Sequence, residues 1–111
     1  MRRVIVESPF AAKRGSRQRN VDYARRAVRD CLQRGEAPLA SHLLYTQPGI
    51  LKDSKPDERT LGITAGLTWG KLADAIVVYE DLGISAGMQI AINYYTGEGI
   101  PIERRSLNGK A

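Results

Sequence analysis

Short apolar runs alternating with helix-spaced patterns predict an α/β fold for this sequence, and three observations carry the prediction. Val4-Ile5-Val6 and Ala75-Ile76-Val77-Val78-Tyr79 are too brief for free-standing helices and rich in β-branched residues, as buried strands are. Between them, Val21, Ala24, Ala27, Val28, Cys31 and Leu32 recur at helical spacing. Each strand candidate is followed by a helix candidate, giving the order βαβαβαβ. That order implies a parallel sheet with right-handed crossovers and helices on both faces. The expectation is a small three-layer sandwich, Rossmann-like (flavodoxin-like), with about four strands in the order 2-1-3-4. Residues 1–111 are expected to form one domain, since a chain of this length holds a single core.

The first strand is expected at Arg3 to Val6 and stops at Ser8-Pro9, because proline cannot donate to an interior ladder. The polar, basic stretch 11–19 is expected to be a mobile loop. A first helix then begins with Asn20 as its cap and is stopped by Gly35. Residues 37–45 form the second strand candidate, closed by the turn signal Thr46-Gln47-Pro48-Gly49. Asp57 and Glu58 suit the first turn of a second helix, where acids complement the macrodipole. Leu61, Ala65, Thr68, Trp69 and Leu72 line one side of that helix. Gly62, Gly66 and Gly70 share another, which allows close packing on the sheet or a second subunit, or glycines simply tolerated by their surroundings. After the third strand at 75–79, a helix carries Met88, Ala91, Ile92 and Tyr95 toward the core. Residues 100–103 form a fourth strand at an edge, because of Pro101, and the tail 106–111 is expected to fray.

Composition narrows the function classes. An apolar fraction of 42% and a charged fraction of 26% are those of a globular protein, and no run approaches membrane-spanning length. Val4-Ile5-Val6 is too short for a signal-peptide core, so a cytoplasmic setting is expected. One cysteine, Cys31, and one histidine, His42, exclude an intramolecular disulfide and argue against a zinc site. No cofactor and no metal are called for. The net charge of +5 favours an anionic partner. The arginine-rich stretch 13–34 is read as a solvated face, because Asp22 to Arg26 and Asp30 to Arg34 are spaced for i,i+4 pairs.

In a doubly wound sheet of this order the ligand crevice lies beyond the carboxyl ends of strands one and three. Glu7, Ser8, Pro9 and Phe10 then stand beside residues 80–88. Ser85 is expected to cap the last helix, with the amides of Ala86, Gly87 and Met88 facing an anion and Gly83 in the approach loop. Arg17, Arg19 or Arg25 would close over it. Glu7, Asp74, Glu80 and Asp81 are the candidate acids. Asp74 also has a plain reading as a strand-start polar residue, and Glu80 and Asp81 as solvated strand-end acids. Gly83 to Gly87 spells G-x-S-x-G, but a nucleophile elbow is rejected for so short a chain whose sole histidine sits on the second strand candidate.

Ala73-Asp74, the apolar strand, Glu80 and then Ser85-x-Gly87-Met88 at a helix start resemble the nucleoside 2-deoxyribosyltransferase superfamily, including the deoxynucleoside 5′-monophosphate N-glycosidases and small phage or bacterial domains of that fold. The order of elements agrees over nearly the whole chain, and specific residues agree from about Ala73 to Ile92. The resemblance implies a domain, often dimeric, that binds a nucleotide with its 5′-phosphate on the Ser85 to Met88 loop and its base near the loop after the first strand. Family enzymes also place a glutamate on the last helix about six residues after the loop serine, where a carboxylate stabilises an oxocarbenium-like transition state. Here Ala91 stands there, preceded by Gln89 and Ile90.

The expectation is therefore a protein that binds a nucleotide or other phosphorylated small molecule without the usual N-glycosidase activity, as a homodimer or higher homo-oligomer. The alternative is an active glycosidase or deoxyribosyltransferase using Glu7, Glu80 or Asp81. A nucleic-acid-binding module ranks last, for want of exposed aromatics interleaved with the basic residues.

Overall fold

The computed structural model describes residues 1–10 and 16–108. Its strands are β1 (Arg3–Glu7), β2 (Ala37–Leu39), β3 (Ala75–Tyr79) and β4 (Ile102–Arg105). They form one parallel sheet in the order β2-β1-β3-β4, as the sequence predicts. The helices are α1 (Arg17–Gln33), α2 (Ser41–Leu44), α3 (Pro56–Gly70) and α4 (Ala86–Gly97).

Period-two alternation along β1 and β3 divides the core into two layers. Val4, Val6, Ala75, Val77 and Tyr79 face α1, where Tyr23, Ala27 and Cys31 meet them. Ile5, Ile76 and Val78 face the other way, onto Met88, Ala91, Ile92 and Tyr95 of α4, with Leu67 of α3 beside them. All five residues of β3 are buried, which is why its sequence is continuously apolar rather than alternating.

Several boundaries differ from expectation. The second strand ends at Leu39, and residues 41–44 turn into the one-turn helix α2. Helix α1 starts at Arg17, with Ser16 at the cap position, so Asn20 lies inside it. The Asn20 amide is buried and donates to the Phe10 carbonyl (3.4 Å), tying the helix to the end of β1. The expected mobile loop lies partly outside the described residues, and its last three positions are helical. β4 is displaced to 102–105, leaving Pro101 just before the ladder. The tail does not fray at its start: the Ser106 hydroxyl (2.5 Å) and Leu107 N–H (2.8 Å) donate to Asp81, and Leu107 packs on the core.

The two sides of α3 exchange the roles their composition suggests. Leu61 and Trp69 are exposed, as is Leu72 just beyond the helix, whereas Gly66 and Gly70 are buried. A Cβ on Gly66 would collide with Ser41 of α2, and one on Gly70 with the ring of Tyr95. The Tyr95 hydroxyl donates to the Gly66 carbonyl (3.3 Å). The glycines are thus a slot for Tyr95 and α2, and close backbone approach decides which face turns inward. On the other face of the sheet, the guanidinium of Arg105 makes paired bonds of 2.7 Å to the buried Glu36 carboxylate. Those bonds hold Glu36 below its ordinary pKa against the opposing effect of burial.

Candidate functional site

The carboxyl ends of β1 and β3 open into a cavity of about 420 Å³, walled by α2, by α3 and by the start of α4. Its size lies in the range of small-molecule sites. Leu51, Ile63, Leu67 and Ile90 make much of its wall apolar, and Glu7, Ser8, His42, Arg59 and Ser85 bring polar groups to it.

The α4 end of the cavity brings a helix N-terminus and a guanidinium together. Ser85 caps the helix, its hydroxyl accepting from the Met88 N–H (3.2 Å). The N–H groups of Ala86 and Gly87 have no acceptor inside the helix and carry the positive end of its dipole. Arg59 reaches this terminus from the first turn of α3: a Cβ on Gly87 would stand 3.9 Å from its guanidinium. Asp53 holds Arg59 in place through an ion pair of 3.1 Å. A positive side chain beside open helix amides is an arrangement that fixes phosphate or carboxylate.

Glu7 ends β1 and turns its carboxyl toward the same cavity. Among the described residues it has no hydrogen-bond or ion-pair partner, and burial raises its pKa to about 8. The neighbouring Ser8 hydroxyl lies 2.9 Å from Nε2 of His42 on α2. Burial pushes His42 down to about 4, so the imidazole is neutral at pH 7. Phe10 meets the His42 ring edge-on at 5.3 Å, and the Arg17 guanidinium lies 5.1 Å from the centre of the Phe10 ring.

The other candidate residues fall elsewhere. Asp74 stands at the opposite end of the sheet, where it accepts from the Arg3 N–H (2.7 Å), because it precedes β3 rather than following it. Glu80 pairs with Arg104 at 3.0 Å on the exposed edge. Asp81 accepts from Tyr23 (2.6 Å), Ser106 and Leu107, and so braces α1 and the tail. Pro9 is buried, and Gly83 supplies a left-handed turn (φ 86°) before α4; neither lines the cavity. Arg19 and Arg25 lie on the exposed side of α1, the latter 3.8 Å from Asp22. Sequence reasoning missed Arg59 and Asp53, and assigned His42 no site role. The one available signal was that His42 is the sole histidine.

Among the described residues no group of three or more His, Cys, Asp or Glu side chains is placed to hold a metal, and no helix is long and apolar enough to cross a membrane. A solved 2-deoxyribosyltransferase from the psychrotolerant bacterium Bacillus psychrosaccharolyticus is similar over 98% of this chain and 75% of its own, with a TM-score of 0.64 and 19% identity. At that identity the likeness is one of fold, and it agrees with the parallel 2-1-3-4 sheet. No curated protein matches the sequence. Residues 2–105 match the family described as Domain of unknown function (DUF7768), and the chain belongs to that family.

Proposed function

We propose that this domain binds a nucleotide or nucleotide-derived phosphorylated small molecule, its phosphate on the N-terminus of α4 beneath Arg59 and the rest of the ligand in the cavity. The carrying observation is the approach of the Arg59 guanidinium to the open turn at Gly87. The deoxyribosyltransferase-like fold and the Ser85 cap support the same reading. Calorimetric titration with nucleoside monophosphates, cyclic nucleotides, ADP-ribose-like compounds and unphosphorylated nucleosides tests it. Binding confined to the phosphorylated compounds is expected, and absence of binding to every one of them would overturn the proposal.

A second reading, cleavage of an N-glycosidic bond, is favoured by one observation. Of the three carboxylates available to replace the missing glutamate, only Glu7 opens into the cavity without a partner among the described residues. The other acids of the lining are engaged: Asp53 with Arg59, and Glu58 with the Lys52 N–H (2.8 Å) and Lys55 (3.6 Å). Near pH 7 Glu7 is protonated, the form that gives a proton to a departing base rather than the ionised form that stabilises an oxocarbenium ion. Incubation with deoxynucleotides decides this point: base release by the wild type that is unchanged in Glu7→Gln would exclude Glu7.

The assembly proposed is a homo-oligomer, with the exposed Leu61 and Trp69 of α3 and Leu72 just beyond it as its support. Light scattering on the purified protein measures it directly, and a monomer at all concentrations would refute it. Treating residues 1–111 as one domain is supported by the two core layers sharing a single sheet.

A further inference from the structure

His42, the chain's sole histidine, is bonded to Ser8 and not to the serine of the G-x-S-x-G string, Ser85, which spends its hydroxyl on the cap of α4. Two elements separated by 34 positions thereby bring a hydroxyl and an imidazole together at the wall of the cavity. The imidazole is held from several directions. Phe10 packs edge-on against its ring, and the Thr46 hydroxyl donates to the His42 carbonyl (2.7 Å), fixing the backbone of α2. Among the described residues Ser8 has no side-chain hydrogen-bond partner other than His42, so its hydroxyl is not committed to the backbone. The 2.9 Å contact puts a ring-nitrogen lone pair of the neutral imidazole within reach of the Ser8 proton, and burial makes that nitrogen a weaker base than a solvated histidine.

We propose that Ser8 and His42 form a nucleophile and general base that hydrolyse small carboxylic esters whose acyl group lies on the apolar wall of Leu51, Ile63 and Leu67. In the tautomer with the proton on Nδ1, the Ser8 hydroxyl donates to Nε2. As Ser8 Oγ bonds to the acyl carbon, its proton passes to Nε2. The ester C–O bond then breaks, and the alcohol leaves with that proton. Water attacks the acyl-serine, giving one proton to His42, which returns it to Ser8 Oγ as the carboxylic acid departs. The net reaction is ester plus water to acid plus alcohol, with no other co-reactant. This activity does not depend on the phosphate reading, because neither Arg59 nor the α4 amides take part in the proton transfers.

Wild-type protein is incubated with a fluorophosphonate probe, and the adduct is located by peptide mass mapping. Hydrolysis of p-nitrophenyl butyrate is followed alongside for the wild type, Ser8→Ala and His42→Gln, with circular dichroism melts to establish that the variants fold. The expected result is an adduct on Ser8, hydrolysis at background in Ser8→Ala, and a loss of at least about 100-fold in His42→Gln. No adduct on Ser8 of the wild type, an adduct on Ser85 instead, or unchanged hydrolysis in folded Ser8→Ala would each overturn the proposal. The wild-type mapping stands even where a variant fails to fold. Failure to label Ser8 leaves phosphate binding intact, and failure of phosphate binding leaves the labelling intact.

Discussion

The ring of Tyr95 occupies the space that a side chain on Gly70 would need, and this fit sets the distance between α3 and α4. Tyr95 is almost fully buried, so its ring has little room to yield. Gly70→Ala gains up to about 1 kcal/mol of helix propensity but overpacks the slot, which costs about 1–3 kcal/mol. A net loss in urea unfolding is expected. Gly97→Ala serves as the comparison, since a Cβ there meets nothing and its position is the last of α4. That variant is expected to be neutral or stabilised by a few tenths of a kcal/mol. Equal behaviour of the two variants would show that the Tyr95 slot is not tight.

Asp81 links the loop after β3 to α1 and to the chain beyond β4. Burial opposes its ionisation, but the N–H of Leu107 and the hydroxyls of Ser106 and Tyr23 outweigh burial and hold its pKa at about 2. A carboxylate whose folded pKa lies below its unfolded value contributes stability that is complete above about pH 4 and is lost as the pH falls toward 2. Asp81→Asn is expected to cost on the order of 2 kcal/mol at pH 7, since it replaces charge-assisted bonds. The variant should lose less stability than the wild type between pH 4 and 2. Parallel acid titrations of the two, followed by circular dichroism, check it.

Glu7 and His42 shift in the directions that keep both neutral in the fold, and their stability slopes have opposite signs. Glu7 is raised from its ordinary 4.5 to about 8 by burial. The native state therefore holds a proton that the unfolded chain releases, and stability falls as the pH rises from about 4.5 to 8. His42 is lowered from 6.5 to about 4 by burial, so stability falls as the pH drops from about 6.5 to 4. The slopes oppose each other between 4.5 and 6.5, and above 6.5 that of Glu7 acts alone. Glu7→Gln is expected to flatten the profile from pH 6.5 to 8 and to be more stable than the wild type at pH 8, by on the order of 2 kcal/mol. An unchanged slope in that window would show that Glu7 is ionised in the native cavity.

What the sequence reveals of this fold follows from how local each signal is. The five buried residues of β3 announce themselves because a central parallel strand is apolar on both faces, and strand order follows from alternation with helices. Helix α2 is too short to show a period, so His42-Leu43-Leu44 looks like the continuation of a strand. The apolar side of α3 misleads for a different reason: the glycines opposite it allow the approach that Tyr95 and Ser41 require. At the site, Ser85 is legible because capping is a contact over three residues. The Ser8–His42 pair spans 34 positions, and no spacing rule joins them. Asp81 is equally opaque, since an acid after a strand looks the same whether it faces water or anchors a tail.

Arg59 had no local signal at all, and it carries the sharpest test of the proposed anion site. It sits in the first turn of α3, where a positive side chain opposes the helix dipole, and Asp53 offsets that cost through its ion pair. Its guanidinium faces the start of α4, where the N–H groups of Ala86 and Gly87 have no intrahelical acceptor. A phosphate placed there would receive bonds from both, whereas an unphosphorylated nucleoside would touch neither. Arg59→Ala is therefore expected to weaken binding of a nucleoside monophosphate by about 10- to 100-fold. Affinity for the parent nucleoside should change by less than about threefold, because in the proposed placement only the phosphate reaches the guanidinium. Arg59→Lys keeps the charge but loses the planar fork, and should recover only part of the loss. Calorimetry on the three proteins with the same ligand pair measures the ratio. A drop shared equally by nucleoside and nucleotide would mean that Arg59 shapes the cavity wall rather than holding the phosphate.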